Sequence, residues 1–207
     1  RENAFGHTPM MCSGPLARRV EDAALMLDVL AGPHPRDPFS LPAPDESYRS
    51  VMHDSIEDFN IAVSPNLDLY PIDERVHDTV LEAVQTFEDA GATVQNVSPD
   101  FSFTREEITD AFMLQSNVLT TGFGEQLAST HGIDITGSNR DDLIPYIVDQ
   151  FEGGYDTSAL EYREADVIRT DVLDTVEDVF EEYDLLVSAT LMVPPFEKDV
   201  LRDRPGP

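Results

Sequence analysis

Lysine is nearly missing from this sequence: among 207 residues there is one, Lys198. That excludes a phosphate-binding Walker loop, which needs a lysine after its glycines, and no Ser-x-x-Lys occurs either. Cysteine is equally scarce. Cys12 stands alone, so no internal disulfide can form, as fits a reducing cytoplasm. No apolar run approaches the ~18 residues needed to span a bilayer, and no charged-then-apolar leader precedes a small-residue cleavage site. The sequence therefore reads as a cytoplasmic protein. Arg1 in place of an initiator methionine and the closing Arg204-Pro205-Gly206-Pro207 give the expectation of an internal piece of something longer.

What is abundant is acid. Forty-one Asp and Glu face thirteen Lys and Arg, a formal net charge of −28. A field of that sign repels nucleic-acid phosphates and anionic lipid, so neither nucleic acid nor membrane is an expected partner. Self-repulsion also opposes compaction in dilute salt. An acidic disordered tail does not fit, because the acids are interleaved with periodic apolar residues. A calcium-binding loop fits poorly: Gly132 to Asp142 holds Asp134, Asn139, Asp141 and Asp142 but lacks the alternating acids around a fixed glycine, and reads as a solvated loop. A globular protein from a high-salt cytoplasm fits best.

Periodicity gives the elements. From Gly14-Pro15 the apolar positions Leu16, Val20, Ala23, Ala24, Leu27, Leu30 and Ala31 predict a helix over 15–31, stopped at Gly32-Pro33. Five prolines between Pro33 and Pro44 predict an extended connection over 33–47. Ile61-Ala62-Val63 predicts a buried strand, Asp73 caps a helix with Val76, Val80, Val84 and Phe87 on one face, and Ala92 to Val97 predicts a second strand beyond Gly91. Strand, helix and strand at this spacing form a βαβ unit. Thr104-x-x-Glu107 and Ser158-x-x-Glu161 are capping boxes. The first opens a helix through Phe112, Leu114, Val118 and Leu127 that Gly122 and Gly124 would break. The second opens a long helix with Ala165, Ile168, Val172, Val176 and Val179 inward. Leu185-Leu186-Val187 is a third strand. The sum is an α/β layered domain, with three strands near 61–64, 92–97 and 185–189 in one mixed sheet, and the helices near 15–31 and 74–90 packed on it.

Catalytic patterns are missing. No G-x-S-x-G or His-Glu-x-x-His occurs, and His7, His34, His53, His77 and His131 are scattered singly. Cys12-Ser13-Gly14-Pro15 places a thiol and a hydroxyl before a helix, near His7, but Cys12 reads as a small apolar residue. Gly122-Phe123-Gly124 lacks the third glycine of a dinucleotide loop. Glu181-Glu182 reads as a solvated helix face. No catalytic, cofactor-binding or metal-ligating residue is assigned, no cofactor is expected, and the oligomeric state is not legible.

Four stretches carry a resemblance. The run Gly14-Pro15-Leu16-Ala17-Arg18-Arg19-Val20-Glu21-Asp22-Ala23-Ala24 resembles the helix that follows the catalytic region of amidase-signature enzymes. Ala31-Gly32-Pro33-His34-Pro35-Arg36-Asp37-Pro38 is similar to the loop after it. Ile61-Ala62-Val63, the helix through Val84 and Gly91-Ala92-Thr93-Val94 resemble the family's next βαβ unit, and Tyr183-Asp184-Leu185-Leu186-Val187-Ser188-Ala189-Thr190 resembles its late strand. The span from about 100 to 157 matches loosely.

The resemblance implies one partial domain over residues 1–207, a fragment of an α/β/α fold with a central mixed sheet flanked by helices. It implies hydrolysis of carbon–nitrogen bonds in linear amides, with a small-molecule amide as substrate. The family's serine, cis-bonded serine and lysine, and the glycine-serine-rich loop that binds the oxyanion, precede the Gly-Pro helix; they are expected upstream of Arg1, leaving this chain inactive alone. Lys198 does not match the catalytic lysine. Pocket walls are implied partly from Phe112 to Gln126. Pro9-Met10-Met11 stands where amidotransferase members carry Ser-Leu-Asp, which favours a stand-alone amidase over a glutamyl-tRNA(Gln) amidotransferase subunit. Ala189 replaces a usual proline. A non-catalytic α/β binding module sharing the helix text is the alternative of another class.

Overall fold

The computed structural model describes residues 14–195. The chain divides into two compact units, residues 1–55 and 56–207.

In the first unit, α1 (Val20–Leu30) packs with a short helix, α2 (Tyr48–Val51). Asp28 joins them: its carboxylate accepts from the Ser47 hydroxyl at 2.7 Å and the Tyr48 N–H at 2.6 Å. The Ser47 hydroxyl bond, and next the backbone N–H donors, hold the Asp28 carboxyl below its ordinary pKa. α1 starts five residues later than the periodicity predicts. Its N-cap, Arg19, supplies no side-chain bond, and the helix begins where Glu21 and Asp22 place acid in the first turn, favourable at the positive end of a helix dipole. The predicted inward stripe is also not buried: Ala24 is covered, whereas Val20 and Leu30 are 72% and 63% exposed. Gly32, at φ +121°, takes the expected position past the helix end. The proline-rich stretch after it is irregular apart from a bridge between His34 and Asp37.

The second unit is built on a sheet of β1 (Asn60–Val63), β2 (Thr93–Asn96) and β3 (Leu185–Val187) in the order β2-β1-β3. Ile61 aligns with Val94 and Leu185, and Val63 with Asn96 and Val187. All three described strands run parallel where a mixed sheet was expected, because helices carry the chain back over the sheet between successive strands. β1 is central, and its apolar run Ile61-Ala62-Val63 is buried throughout, as a parallel strand covered on both faces requires. α3 (Glu74–Asp89) returns the chain between β1 and β2. Its residues Val80, Val84 and Phe87 close over Ile61, Val63 and Ala92 to make the core, where each fully covered aliphatic side chain contributes roughly 1.5–3 kcal/mol. Asp73 caps α3 by accepting the Arg75 N–H at 3.0 Å. Gly91, at φ +96°, allows the turn into β2.

α4 (Arg105–His131), α5 (Pro145–Gly153) and α6 (Ala159–Phe180) form a helical layer, with a 3₁₀ turn at Arg140–Asp142. Both capping boxes are present, at Thr104 with Glu107 and Ser158 with Glu161. α6 places Ala165, Ile168, Val172, Val176 and Val179 on its covered side and Glu164, Asp174, Glu177 and Asp178 outside, as its pattern predicts. α4 departs from expectation. It runs unbroken through Gly122 and Gly124, and its buried residues are Ala111, Gln115, Thr121 and Gly124, while Phe112 is 50% exposed. The reason is α5, which the sequence did not announce: a Cβ on Gly124 would lie 2.6 Å from the Phe151 ring. The glycine admits a neighbouring helix instead of ending its own.

Candidate functional site

The site grows from the carboxyl ends of β1 and β3. Beyond the strands the two chains stay tied, since Ser64 N–H donates to Val187 O at 3.0 Å and Ala189 N–H to Pro65 O at 3.0 Å. Ser64 is itself buried. The chain then turns through Leu67 and Asp68, both left-handed at φ 57° and 50°. There Asn66 Nδ2 donates to Tyr70 O at 2.7 Å and the Asp68 N–H donates to Asn66 Oδ1 at 3.3 Å. This delivers Asp73 to the start of α3, where its N–H donates to Met192 O at 2.8 Å. That bond fixes the segment after β3 against the amino-terminal turns of α3.

Between them lies a cavity of about 480 Å³. One wall is Arg75, Val76, Thr79 and Val80 of α3; the other is Ser188, Ala189, Thr190 and Leu191, with Pro194 and Pro195. The lining is mostly aliphatic with a few hydroxyls. The Thr79 hydroxyl donates back to Arg75 O at 2.7 Å. Arg75 is held by Asp73, its Nε on Oδ1 and Nη2 on Oδ2, both at 2.9 Å. The Arg75 guanidinium, and next its N–H, hold the Asp73 carboxyl down to about 2, and the same pairing raises Arg75.

Elsewhere the resolved pKa shifts belong to caps and surface pairs. Thr104 lowers Glu107, Ser158 lowers Glu161, Glu152 raises Arg140 and Glu125 raises Tyr155, each chiefly by hydrogen bonding. None of these is a base drawn toward neutrality. Among the described residues no three His, Cys, Asp or Glu side chains are grouped to hold a metal ion. None of their helices is long and apolar enough to cross a membrane.

His7, Cys12 and Ser13 lie outside the described residues, as do Glu197, Lys198 and Asp199. From Phe112 to Gln126, both end residues are exposed; Thr121 and Gly124 face a second pocket of about 20 Å³, too small for an amide. Thr121 Oγ1 lies 2.7 Å from Phe151 O and 2.8 Å from Asn117 O, and Gln115 Nε2 donates to Asp166 Oδ1 at 2.7 Å, so this span knits helices together. In the loop after α4 the acids are internally bonded: Asp134 Oδ1 accepts the Gly137 N–H at 2.9 Å, and Asn139 Nδ2 donates to Asp142 at 3.0 Å. Glu181 and Glu182 are exposed at the end of α6. The cavity residues were missed by sequence reasoning. Two signals pointed to them: the Asp73 cap, and the rule that parallel α/β sheets bind ligands outside the carboxyl ends of their strands.

A parallel sheet with helices packed on it and a cavity at its carboxyl ends defines an α/β domain. The chain belongs to the amidase family, whose model matches residues 6–205. It is 30% identical over 178 residues to an acylamidase of Rhodococcus erythropolis, covering 86% of this chain and 35% of that one. It is 29% identical to a glutamyl-tRNA(Gln) amidotransferase subunit of Natronomonas pharaonis, covering 89% and 47%. Among solved structures, a bacterial aryl acylamidase of the amidase signature family superposes with a TM-score of 0.81 at 28% identity, over 88% of this chain and 37% of that chain. The chain thus spans between a third and a half of the length of these relatives.

Proposed function

We propose that this sequence is part of an enzyme hydrolysing carbon–nitrogen bonds in linear amides, its serine, cis-serine and lysine triad supplied from outside this chain. The supporting observation is the family match along residues 6–205 joined to the likeness to an aryl acylamidase over 88% of the chain. In that reading serine attacks the carbonyl, lysine takes the proton through the bridging serine, and backbone N–H groups hold the oxyanion. The present chain contributes structure and a wall of the amide pocket, the cavity beside β3. Membership of a glutamyl-tRNA(Gln) amidotransferase, as one of its subunits, is the second reading, favoured by the relatives of that name at 26–29% identity. Pro9-Met10-Met11 speaks for the first.

The test is to assay this chain and a protein carrying the whole fold side by side on aryl and aliphatic amides. The whole fold turns over and the chain alone does not, because losing even one oxyanion donor costs about 10²–10³ in rate. Turnover by the chain that survives Cys12→Ala, Ser13→Ala and repurification sinks the assignment of the triad elsewhere.

The enzyme belongs, in the same proposal, to a salty cytoplasm. The charge of −28 and the outward acids of α6 support it. Its thermal midpoint should climb from roughly 0.1 M to molar salt, past the point where screening of exposed charges saturates in ordinary proteins. A midpoint indifferent to salt contradicts the halophilic reading.

A further inference from the structure

Among the described residues, the cavity beside β3 has one ionisable side chain in its lining, Arg75. Asp73 engages that cation through both carboxylate oxygens, each at 2.9 Å. The pair lies at the solvent-facing rim of the cavity, with the Arg75 side chain 76% exposed, and there the two-point contact orients the guanidinium and offsets its charge. Asp73 is held from three directions. It accepts the Arg75 N–H as the cap of α3, and through its own N–H it is tied to Met192 O in the segment after β3. Around the pair, the lining is aliphatic, proline and hydroxyl.

Resting on the amide-hydrolase reading, we infer that the Asp73–Arg75 pair tunes this cavity to accept the uncharged, apolar substituent of an amide and to reject one that carries a carboxylate. A neutral aryl or alkyl group displaces water from Val76, Val80, Leu191 and Pro194 and gains the usual return for burying apolar surface. A carboxylate entering the same space competes with Asp73 for the guanidinium, within a chain whose net charge is already −28. Freed of Asp73, Arg75 would offer its forked donors to that carboxylate. Asp73 is therefore the specificity-determining residue, and it acts through Arg75. The volume of about 480 Å³ falls in the range of small-molecule pockets.

The test uses two probes that differ in one group, acetanilide and 4-acetamidobenzoate. Each is titrated into the chain at the lowest salt that preserves its helical circular dichroism. Affinities are read from the methyl resonances of Val76, Val80 and Leu191. The native chain binds acetanilide more tightly. Asp73→Asn keeps a good helix cap while removing the competing charge, and it narrows the affinity ratio by about two- to fivefold, the scale of an exposed charge pair. Arg75→Gln removes the cation, so the carboxylate probe gains nothing relative to acetanilide, whatever the variant does to the affinity of either. An unaltered ratio in Asp73→Asn, a carboxylate gain in Arg75→Gln, or methyls that respond to neither probe would overturn the inference. Turnover is measured separately on a protein carrying the whole fold. Failure to hydrolyse acetanilide there counts against the function proposed above and leaves the binding ratio to be judged by itself.

Discussion

The sheet and the helical layer of residues 56–207 solve the same packing problem with different chemistry. Around β1 the clustered core residues are Ile61, Val63, Val84 and Ala92, an apolar set with the buried Ser64 next in the chain after the strand. Between α4, α5 and α6 the buried set includes Gln115 and Thr121 beside Ala111, Val148, Phe151 and Ala165. Gln115, wholly buried, donates to Asp166 Oδ1 and Tyr162 O and accepts from Arg169 Nη1 at 3.3 Å. The sheet is held by area removed from water. The helices are held by close approach at small residues and by hydrogen bonds whose loss leaves a buried group unpaired. Stability that depends on area tolerates approximate shape better than stability that depends on a fixed backbone separation.

The comparison breaks most decisively at Ile61. Ile61→Ala empties fully buried volume at the central strand and should cost about 2–5 kcal/mol, read from denaturant midpoints. The similar truncation Leu173→Ala, at a site 57% exposed, should stay within about 0.5 kcal/mol. A cost below about 1 kcal/mol for Ile61→Ala removes the sheet as the seat of stability.

Gly124 sharpens the contrast. Gly124→Ala raises helix propensity, yet its Cβ would fall 2.6 and 2.8 Å from two ring atoms of Phe151, itself 6% exposed. Overpacking should win, with a net loss of about 1–3 kcal/mol. Phe151→Leu in the same chain should return part of it, since the two changes share one contact. A stabilised Gly124→Ala would show that α5 does not sit against α4 as described.

The smallest expected effect is at Asp73, between the two regions' modes of bonding. Its folded pKa is lowered to about 2, first by the Arg75 guanidinium, from an ordinary 3.8. A depressed carboxylate stabilises above its unfolded value, so the contribution is whole above about pH 4 and disappears as pH falls toward 2. The difference in thermal midpoint between the native chain and Asp73→Asn should therefore shrink across that window. A difference that does not vary with pH there refutes the pairing.

Legibility followed the same division. β1, α3 and β2 were readable within about a residue and β3 at its start, since its expected end at 189 falls beyond Val187; the apolar runs and the helix stripe carry that period in the text. Both capping boxes were readable because the bonds are local. The α4 face was misread because Gly124 looks like a breaker until Phe151 is placed beside it, and α5 was missed between weakly patterned neighbours. Beside the cavity, Asp73 was read as a cap, but nothing local marked Arg75 and Leu191 as facing one space.

The sequence by itself determined the charge of −28, the caps, the strand text and the family resemblance, because composition, short-range hydrogen bonding and periodicity are properties of neighbours in the chain. Tertiary structure alone decided the strand order β2-β1-β3, that Gly124 receives a helix and that Asp73 meets Met192 from far along the chain. Those features depend on segments distant in sequence occupying adjacent space, and no local pattern encodes which distant segment arrives.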